Sequence, residues 1–425
     1  MRCRHLSLTN FRTYGRLELD LPPGVSVLCG NNAQGKSNLL EALYMLATIK
    51  SFRTTSEREL VSWHAGADER FARVSAEIER QGSASRLDII LVEPASGNAA
   101  NPAAGARTRA VQKRIRLNQQ PRRSLDVLGQ LNSVLFTPAD VELITGPPAQ
   151  RRRYLDIMLC QVDPHYVRVL GRYQRVLTQR NALLRQLRDR RLPPDQLGYW
   201  TEQVVALGSE LIVGRGQAVT TINSSLAAIH PRLVDDRSSL GIVYRSSVTE
   251  LPSTLAEESG VVARTDDVRS AVAVQFAAQL DAQQERERRQ GMTVVGPHRD
   301  DLAFTVDGVD LNRFGSRGQQ RTAALAVKLA EATVMEQRTG ERPVLLLDDV
   351  LSELDPQRRL LLQEILTSEG LPAPSAPSDG SRSDTDRGGQ VLLTTTELRP
   401  FTAAFLAAAT VFEVANGALT LRSPS

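Results

Sequence analysis

The sequence is poor in the residues that build disulfide and metal frameworks. Three cysteines, Cys3, Cys29 and Cys160, are scattered over 425 residues, and no C-x-x-C pair occurs. An odd, dispersed set argues against a disulfide scaffold or a structural zinc, and for a reducing cytosol. The five histidines are equally dispersed and suggest no metal cluster. No apolar run approaches the roughly 20 residues that a bilayer span needs. Met1 is followed by alternating polar and apolar residues rather than by the apolar core of a secretory signal. These absences predict a soluble, cytoplasmic chain with no membrane partner. Internal repeats are missing as well.

What is present is the composition of an ordinary globular protein, 24% charged and 41% hydrophobic. The length suits roughly two to three domains. A net charge of +4 decides little, but its distribution is uneven. Between positions 150 and 191 lie Arg151, Arg152, Arg153, Arg168, Arg172, Arg175, Arg180, Arg185, Arg188, Arg190 and Arg191, against only Asp156, Asp163 and Asp189. That local excess is larger than the excess of the whole chain.

The most informative segment is Gly30-Asn31-Asn32-Ala33-Gln34-Gly35-Lys36-Ser37, with the spacing G-x-x-x-x-G-K-S. Its glycines let the backbone turn tightly enough for successive N–H groups to face phosphate oxygens. Lys36 can bring a point charge to the β- and γ-phosphates, and the Ser37 hydroxyl can ligate Mg²⁺. A strand-like run, Val25-Ser26-Val27-Leu28-Cys29, precedes the loop. A helical run from Asn38 to Leu46 follows, and its N-terminal dipole favours an anion. Residues 30–38 are therefore candidates to line the phosphates of a nucleotide.

Around this loop the pattern alternates between strand and helix periods. His5-Leu6-Ser7-Leu8-Thr9-Asn10-Phe11 and Leu17-Glu18-Leu19-Asp20-Leu21 predict strands joined by a turn at Tyr14-Gly15. Asp88-Ile89-Ile90-Leu91-Val92 predicts another. Residues 95–110, rich in Ala, Gly, Asn and Pro, read as a hairpin tip or insertion. From about residue 140 to 290 the spacing becomes helical: Tyr154, Leu155, Met158 and Leu159, then Val169, Leu170, Tyr173, Val176 and Leu177, then Leu183, Leu184 and Leu187. Pro193-Pro194 is expected to end that helix, and 199–226 to form a second. Residues 371–389 hold almost no large apolar side chain and predict a disordered loop. The expected architecture is an α/β nucleotide-binding head made of residues 1–139 and 291–425, with a mainly helical lobe, 140–290, inserted between its halves.

The C-terminal third completes the nucleotide chemistry. Val344-Leu345-Leu346-Leu347 reads as a strand covered on both faces, ending in Asp348-Asp349. Asp348 could hold Mg²⁺ through water, and Asp349 could position or deprotonate an attacking water. The run Ser352-Glu353-Leu354-Asp355 follows. Upstream, Ser316-Arg317-Gly318-Gln319 opens an Ala/Leu-rich helix, where its hydroxyl and N–H groups could cap the helix, face an anion, or both.

Taken together, these motifs resemble the ABC-type ATPase superfamily, in which two subunits sandwich ATP and the signature of one completes the site of the other. The long excursion between Ser37 and Ser316 is similar to the SMC-like repair branch and unlike transporter subunits. Within that branch the chain resembles the RecF family, almost end to end. The resemblance rests on Leu8-Thr9-Asn10-Phe11-Arg12-Thr13-Tyr14, the phosphate loop, Ser51-Phe52-Arg53-Thr54 and Phe136-Thr137-Pro138-Ala139-Asp140. Gly146-Pro147, Arg151-Arg152-Arg153-Tyr154-Leu155-Asp156, Gly296-Pro297-His298-Arg299-Asp300-Asp301 and the residues from Ser316 to Arg321 complete it.

The resemblance implies an ATP-dependent homodimer that binds duplex and gapped DNA, hydrolyses ATP weakly under DNA stimulation, and works with RecO and RecR to load RecA. Lys36, Asp348 and Asp349 would be catalytic. Ser37 and Asp348 would hold Mg²⁺. Ser316, Arg317, Gly318 and Gln319 would act across the dimer, and Ser352 and Asp355 would form the adjoining loop. Arg12, Arg53, Arg58, Arg151, Arg152 and Arg153 are candidate DNA contacts, and the Arg-rich segment from Arg151 to Arg191 is a candidate DNA-facing surface. Asp349 stands where transporters carry Glu, and Thr394-Thr395-Thr396 where they carry a switch histidine, which implies a slow timer rather than a motor. A transporter subunit and a non-hydrolysing ATP-gated scaffold are the competing readings. An SMC-like tether is disfavoured because the excursion is too short for a reaching coiled coil. His298 and Arg299 stay open between structural support and nucleotide sensing.

Overall fold

The computed structural model describes residues 1–63, 65–66, 70–93, 111–189, 194–234, 238–248, 265–367 and 389–422. The stretches 95–110 and 371–388 lie outside these. The chain forms two compact units, one of Met1–Ala139 with Glu331–Ser425 and the other of Asp140–Ala330. The architecture is α/β, a nucleotide-binding head interrupted by a mainly helical insertion. The second division falls at Ala330 rather than after residue 290. Residues 291–330 carry a strand hairpin whose first strand pairs with a strand at 240–245, so pairing ties it to the insertion.

In the first unit, β1 (Arg2–Phe11) and β2 (Tyr14–Asp20) form a hairpin closed by the Phe11–Tyr14 pair. The turn is Arg12-Thr13, and Gly15 lies within β2. Arg12 holds a left-handed backbone, φ 53°, without being glycine. β3 (Val25–Cys29) leads into the phosphate loop. β4 (Phe71–Arg80), β5 (Ser83–Val92), β6 (Gln112–Leu117) and β7 (Gln120–Arg122) extend the hairpin into an antiparallel sheet of order β2-β1-β4-β5-β6-β7. β8 (Ser133–Phe136) pairs parallel with a strand from the far end of the chain.

The insertion contributes β9 (Leu240–Arg245), β10 (Asp301–Val306) and β11 (Val309–Asp310), a small antiparallel sheet. Then β12 (Val344–Asp348), β13 (Val391–Thr395), β14 (Ala409–Ala415) and β15 (Ala418–Leu421) complete the second sheet, of order β15-β14-β3-β13-β12-β8. Its parallel core explains the unbroken apolar run of β12, because a strand buried on both faces has no polar side.

The helix Lys36–Thr48 is buried around its whole circumference. Leu39, Leu40, Leu43 and Leu46 are fully buried in one cluster with Leu6, Leu8, Val74 and Ile89 of the first sheet and Leu346 and Leu392 of the second. Each such leucine contributes about 1.5–3 kcal/mol of burial. The first turn of that helix is thereby fixed at the mouth of β3.

The second unit departs from the expected single long helix. Asp163 ends Pro148–Val162 and caps Pro164–Arg188, its Oδ1 accepting from the N–H groups of His165 at 2.8 Å and Tyr166 at 3.1 Å. Pro164 suits the first helical position, where no N–H is needed. The expected second helix runs longer, over Gly198–Leu233. Arg215 of that helix is 3% exposed, pairs with Asp156 at 2.9 Å, and donates to the Pro297 carbonyl at 2.6 Å. Arg180, equally buried, reaches Glu287 at 2.7 Å. Removing one partner of such a pair typically costs about 3–5 kcal/mol, because the other charge is left buried.

His298 and Asp300 belong to the same interior. The Thr293 carbonyl can only accept, so His298 Nε2 carries the proton and Nδ1 accepts from the Tyr173 hydroxyl at 2.7 Å. Asp300 accepts the Tyr244 hydroxyl and the Ser247 N–H. The motif thus ties the 293–301 segment to two helices and to β9, which favours structural support for His298. Burial pushes its imidazole down to about 4. The unfolded value lies near 6.5, so this contribution is complete above that pH and is lost as pH falls toward 4. Wild type should lose about 2 kcal/mol more than His298→Gln between pH ~7 and pH ~5 in urea unfolding followed by circular dichroism. Parallel pH profiles would remove the assignment.

Candidate functional site

The phosphate loop leaves β3 at Gly30, where a Cβ would stand 2.2 Å from the Val414 carbonyl oxygen, so only glycine fits. It ends at Gly35, φ 108°, whose missing Cβ would meet Thr13 Oγ1 at 2.8 Å. Asn31, Asn32 and Ala33 form its exposed crest. Two hairpin turns brace it. Gln34 accepts the Asn416 N–H at 2.6 Å, and the Tyr14 hydroxyl donates to the Gly35 carbonyl at 3.0 Å. A cavity of about 380 Å³ lies against the loop, lined in part by Cys29, Gly30, Asn31, Gln34 and Glu413.

Lys36 Nζ donates to the Gly30 and Asn31 carbonyls, at 2.6 and 2.8 Å, so the ammonium is held over the loop. Burial lowers its pKa from the usual lysine value, while Asp349, Cys29 and Asp348 act in the opposite direction. The Ser37 hydroxyl donates to Asp348 Oδ1 at 2.8 Å, across 311 positions of sequence. The Thr394 hydroxyl donates to the same oxygen at 2.8 Å and accepts the Asp349 N–H at 3.0 Å. Asp349 adopts φ 52° as the chain turns away from β12. Thr394 therefore fixes both aspartates, one through its proton and one through its lone pair. In the sequence alone, this threonine stands out only by occupying the place of a histidine in transporters.

The other candidates divide clearly. Asn38 lines the loop with its backbone alone, since its side chain donates to Thr13 and accepts from Arg53. Ser352 donates to the Asp349 carbonyl. Asp355 caps the helix Pro356–Thr367, and the Arg358 N–H with its guanidinium holds the carboxyl below the usual range. The segment 316–319 lies in the second unit and is exposed. Ser316 and Gln319 close a reciprocal capping box at the start of Arg317–Thr339, each side chain accepting the other's N–H.

Half of the arginines proposed as DNA contacts turn inward instead. Arg12 clasps the fully buried Glu41 with two hydrogen bonds, 2.9 and 2.7 Å, and Glu41 also receives the Ser51 hydroxyl. Arg151 clasps Asp301 in the same way, and Arg152 donates to the Asp300 carbonyl. A charge facing a carboxylate inside the fold is not a surface contact. Arg53, Arg58 and Arg153 are exposed, with Arg53 bound to Asn38 and Arg58 3.3 Å from Glu93. Glu41, which organises two of these segments, carries no sequence signal beyond its place in a helix.

Residues 2–371 match the family described as the RecF/RecN/SMC N terminal domain. The chain is 44% identical to the DNA replication and repair protein RecF of Chloroflexus aggregans, over 99% of both chains. It is 42% identical to the RecF of Roseiflexus castenholzii, over 86% of this chain and 90% of that one. Among solved structures it is similar to the recombination mediator protein RecF-ATPrS of the RecFOR pathway, with TM-score 0.78 and 27% identity over 99% of this chain and 98% of the other. An SMC head bound to ScpA, at TM-score 0.51 and 14% identity over 100% of this chain and 98% of that one, shares the fold. Among the described residues, no helix is long and apolar enough to cross a membrane.

Thr394→Val keeps the shape and removes both hydrogen bonds. It should cost about 1–3 kcal/mol in denaturant unfolding, since the part-buried Asp349 N–H loses its acceptor. An unchanged midpoint would show that Thr394 does not hold the aspartates.

Proposed function

Because this chain belongs to the RecF family of DNA replication and repair proteins, we propose that it is an ATP-gated clamp acting on duplex and gapped DNA. The observation that carries this reading is the 2.8 Å contact between Ser37 and Asp348, which joins a phosphate loop to the carboxylate that ends the central strand β12. The similarity to a solved RecF-ATP structure supports ATP as the nucleotide.

In this reading the N–H groups of residues 30–38 and Lys36 Nζ hold the triphosphate. The Ser37 hydroxyl and the Asp348 carboxylate are hard oxygen donors already side by side, a donor set that fits Mg²⁺. Mg²⁺ would neutralise charge on the β- and γ-phosphate oxygens. Asp349, fixed by Thr394, accepts a proton from a water attacking the γ-phosphorus; the bond to the ADP oxygen breaks, giving ADP and phosphate. An aspartate base and a threonine in place of a histidine suit slow turnover.

The capping box at Ser316 supports action in trans. Its hydroxyl accepts the Gln319 N–H and keeps its own proton for a phosphate oxygen, at the N-terminus of a 23-residue helix. A γ-phosphate held by one copy would join the exposed 316–319 segment of a second, and hydrolysis would remove the joint. Cooperation with RecO and RecR in loading RecA, and a cytoplasmic location, follow from the family alone.

Lys36→Ala should weaken ATP binding by about 1.5–3 kcal/mol, roughly 10- to 150-fold, and abolish nucleotide-dependent dimerisation in size-exclusion chromatography. A dimer that forms as in wild type would contradict the clamp. Asp349→Asn should bind ATP normally, lower single-turnover hydrolysis by about 10²–10⁴-fold, and accumulate closed dimer. Unchanged turnover would remove Asp349 as the base.

A further inference from the structure

We propose that the outward face of the helix Pro164–Arg188 is the surface that receives the phosphate backbone of duplex DNA. This rests on the DNA-clamp reading above and narrows the Arg-rich segment between positions 150 and 191 to one stripe on one helix.

The helix has 25 residues and six arginines, with no acidic residue between its flanking Asp163 and Asp189. Its inward face is settled by Tyr166, Val169, Tyr173, Arg180 and Leu184, all buried. At 100° per residue, Arg168, Arg172 and Arg175 fall within one narrow sector on the opposite side. All three are exposed, and among the described residues none makes an ion pair or hydrogen bond. Of the other three arginines on this helix, Arg180 is matched to Glu287 and Arg188 to Asp189, while Arg185 is exposed but lies outside this sector.

This arrangement works against the helix. Arg168 and Arg172 stand four apart, and Arg172 and Arg175 three apart, where like charges repel. No carboxylate occupies a neighbouring position on the same helix to relieve them. The stripe continues with Gln179 and Gln186, exposed and uncharged, which can donate hydrogen bonds. An unrelieved row of guanidinium groups on a rigid rod is complementary to a row of anions. The three arginines span about 10 Å of helix axis, and duplex DNA carries one charge per ~1.7 Å. Phosphate contacts of this kind set affinity and position without reading sequence.

The test uses full-length protein with an ATP analogue and a short fluorescent duplex, titrated at several salt concentrations. Arg168→Gln/Arg172→Gln/Arg175→Gln should lower duplex affinity at least about tenfold and flatten the slope of log K against log salt by about 2–3. The corresponding triple lysine variant should retain most of both. Analogue-induced dimerisation, measured in parallel, should be unchanged in both variants, which separates a lost surface from a lost fold. Wild-type affinity and slope in the glutamine variant would overturn the assignment. So would loss of binding to polyglutamate with duplex binding intact, which would mark the stripe as a site for an acidic protein. Failure of wild type itself to bind duplex would instead overturn the clamp reading.

Discussion

The carboxylate of Asp348 is the point on which the proposed nucleotide site of this protein closes. Its Oδ1 accepts two hydroxyl protons, from Ser37 at the start of the buried helix and from Thr394 at the end of β13. Those residues reach it because β12 lies beside β13, and β13 beside β3, in one parallel sheet. Parallel neighbours bring their C-terminal ends to the same edge, so three distant segments present polar tips together. The apolar stems of the same strands hold that edge in register. Without the sheet order, the two aspartates would be a turn after a strand and nothing more.

A second theme is the sorting of arginine by the fold. A planar guanidinium with five donors can lock a buried carboxylate from two directions. Arg12 does so for Glu41, Arg151 for Asp301 and Arg215 for Asp156. These pairs join segments that hydrophobic contact alone leaves undirected: the β1–β2 turn to the phosphate-loop helix, β10 to the helix Pro148–Val162, and that helix to Gly198–Leu233. Arg168, Arg172 and Arg175, with no carboxylate partner among the described residues, face solvent. What remains outside, on Pro164–Arg188, is a charge pattern with no internal purpose, which is why it points to a partner.

The motif at positions 296–301 shows how a distinctive sequence can serve structure rather than chemistry. Gly296, φ 128°, packs with a Cβ-free face against Phe276 and Tyr173. His298 is neutral and doubly hydrogen-bonded, and Asp300 is held by Tyr244 and Ser247, while burial raises its carboxyl above the usual range. A buried network of this kind tolerates little change because each lost partner leaves a polar atom without water or protein. Unusual composition marks such a network as readily as it marks a catalytic site.

The phosphate loop, its strand and helix, the paired aspartates on a central strand and the α/β class were legible in the sequence by themselves. Each is a local matter of period, apolar run or glycine spacing, and local physics is written in consecutive residues. The turn at Arg12-Thr13 was misplaced because a non-glycine takes a left-handed φ there, held by a carboxylate 29 positions away. The boundary of the insertion was misplaced because β9 and β10 pair across a long separation. Thr394, Glu41 and the sorting of arginines were decided only by tertiary structure. A hydroxyl or guanidinium looks the same in sequence whether its partner is a buried carboxylate or solvent, and only the packed chain supplies the partner.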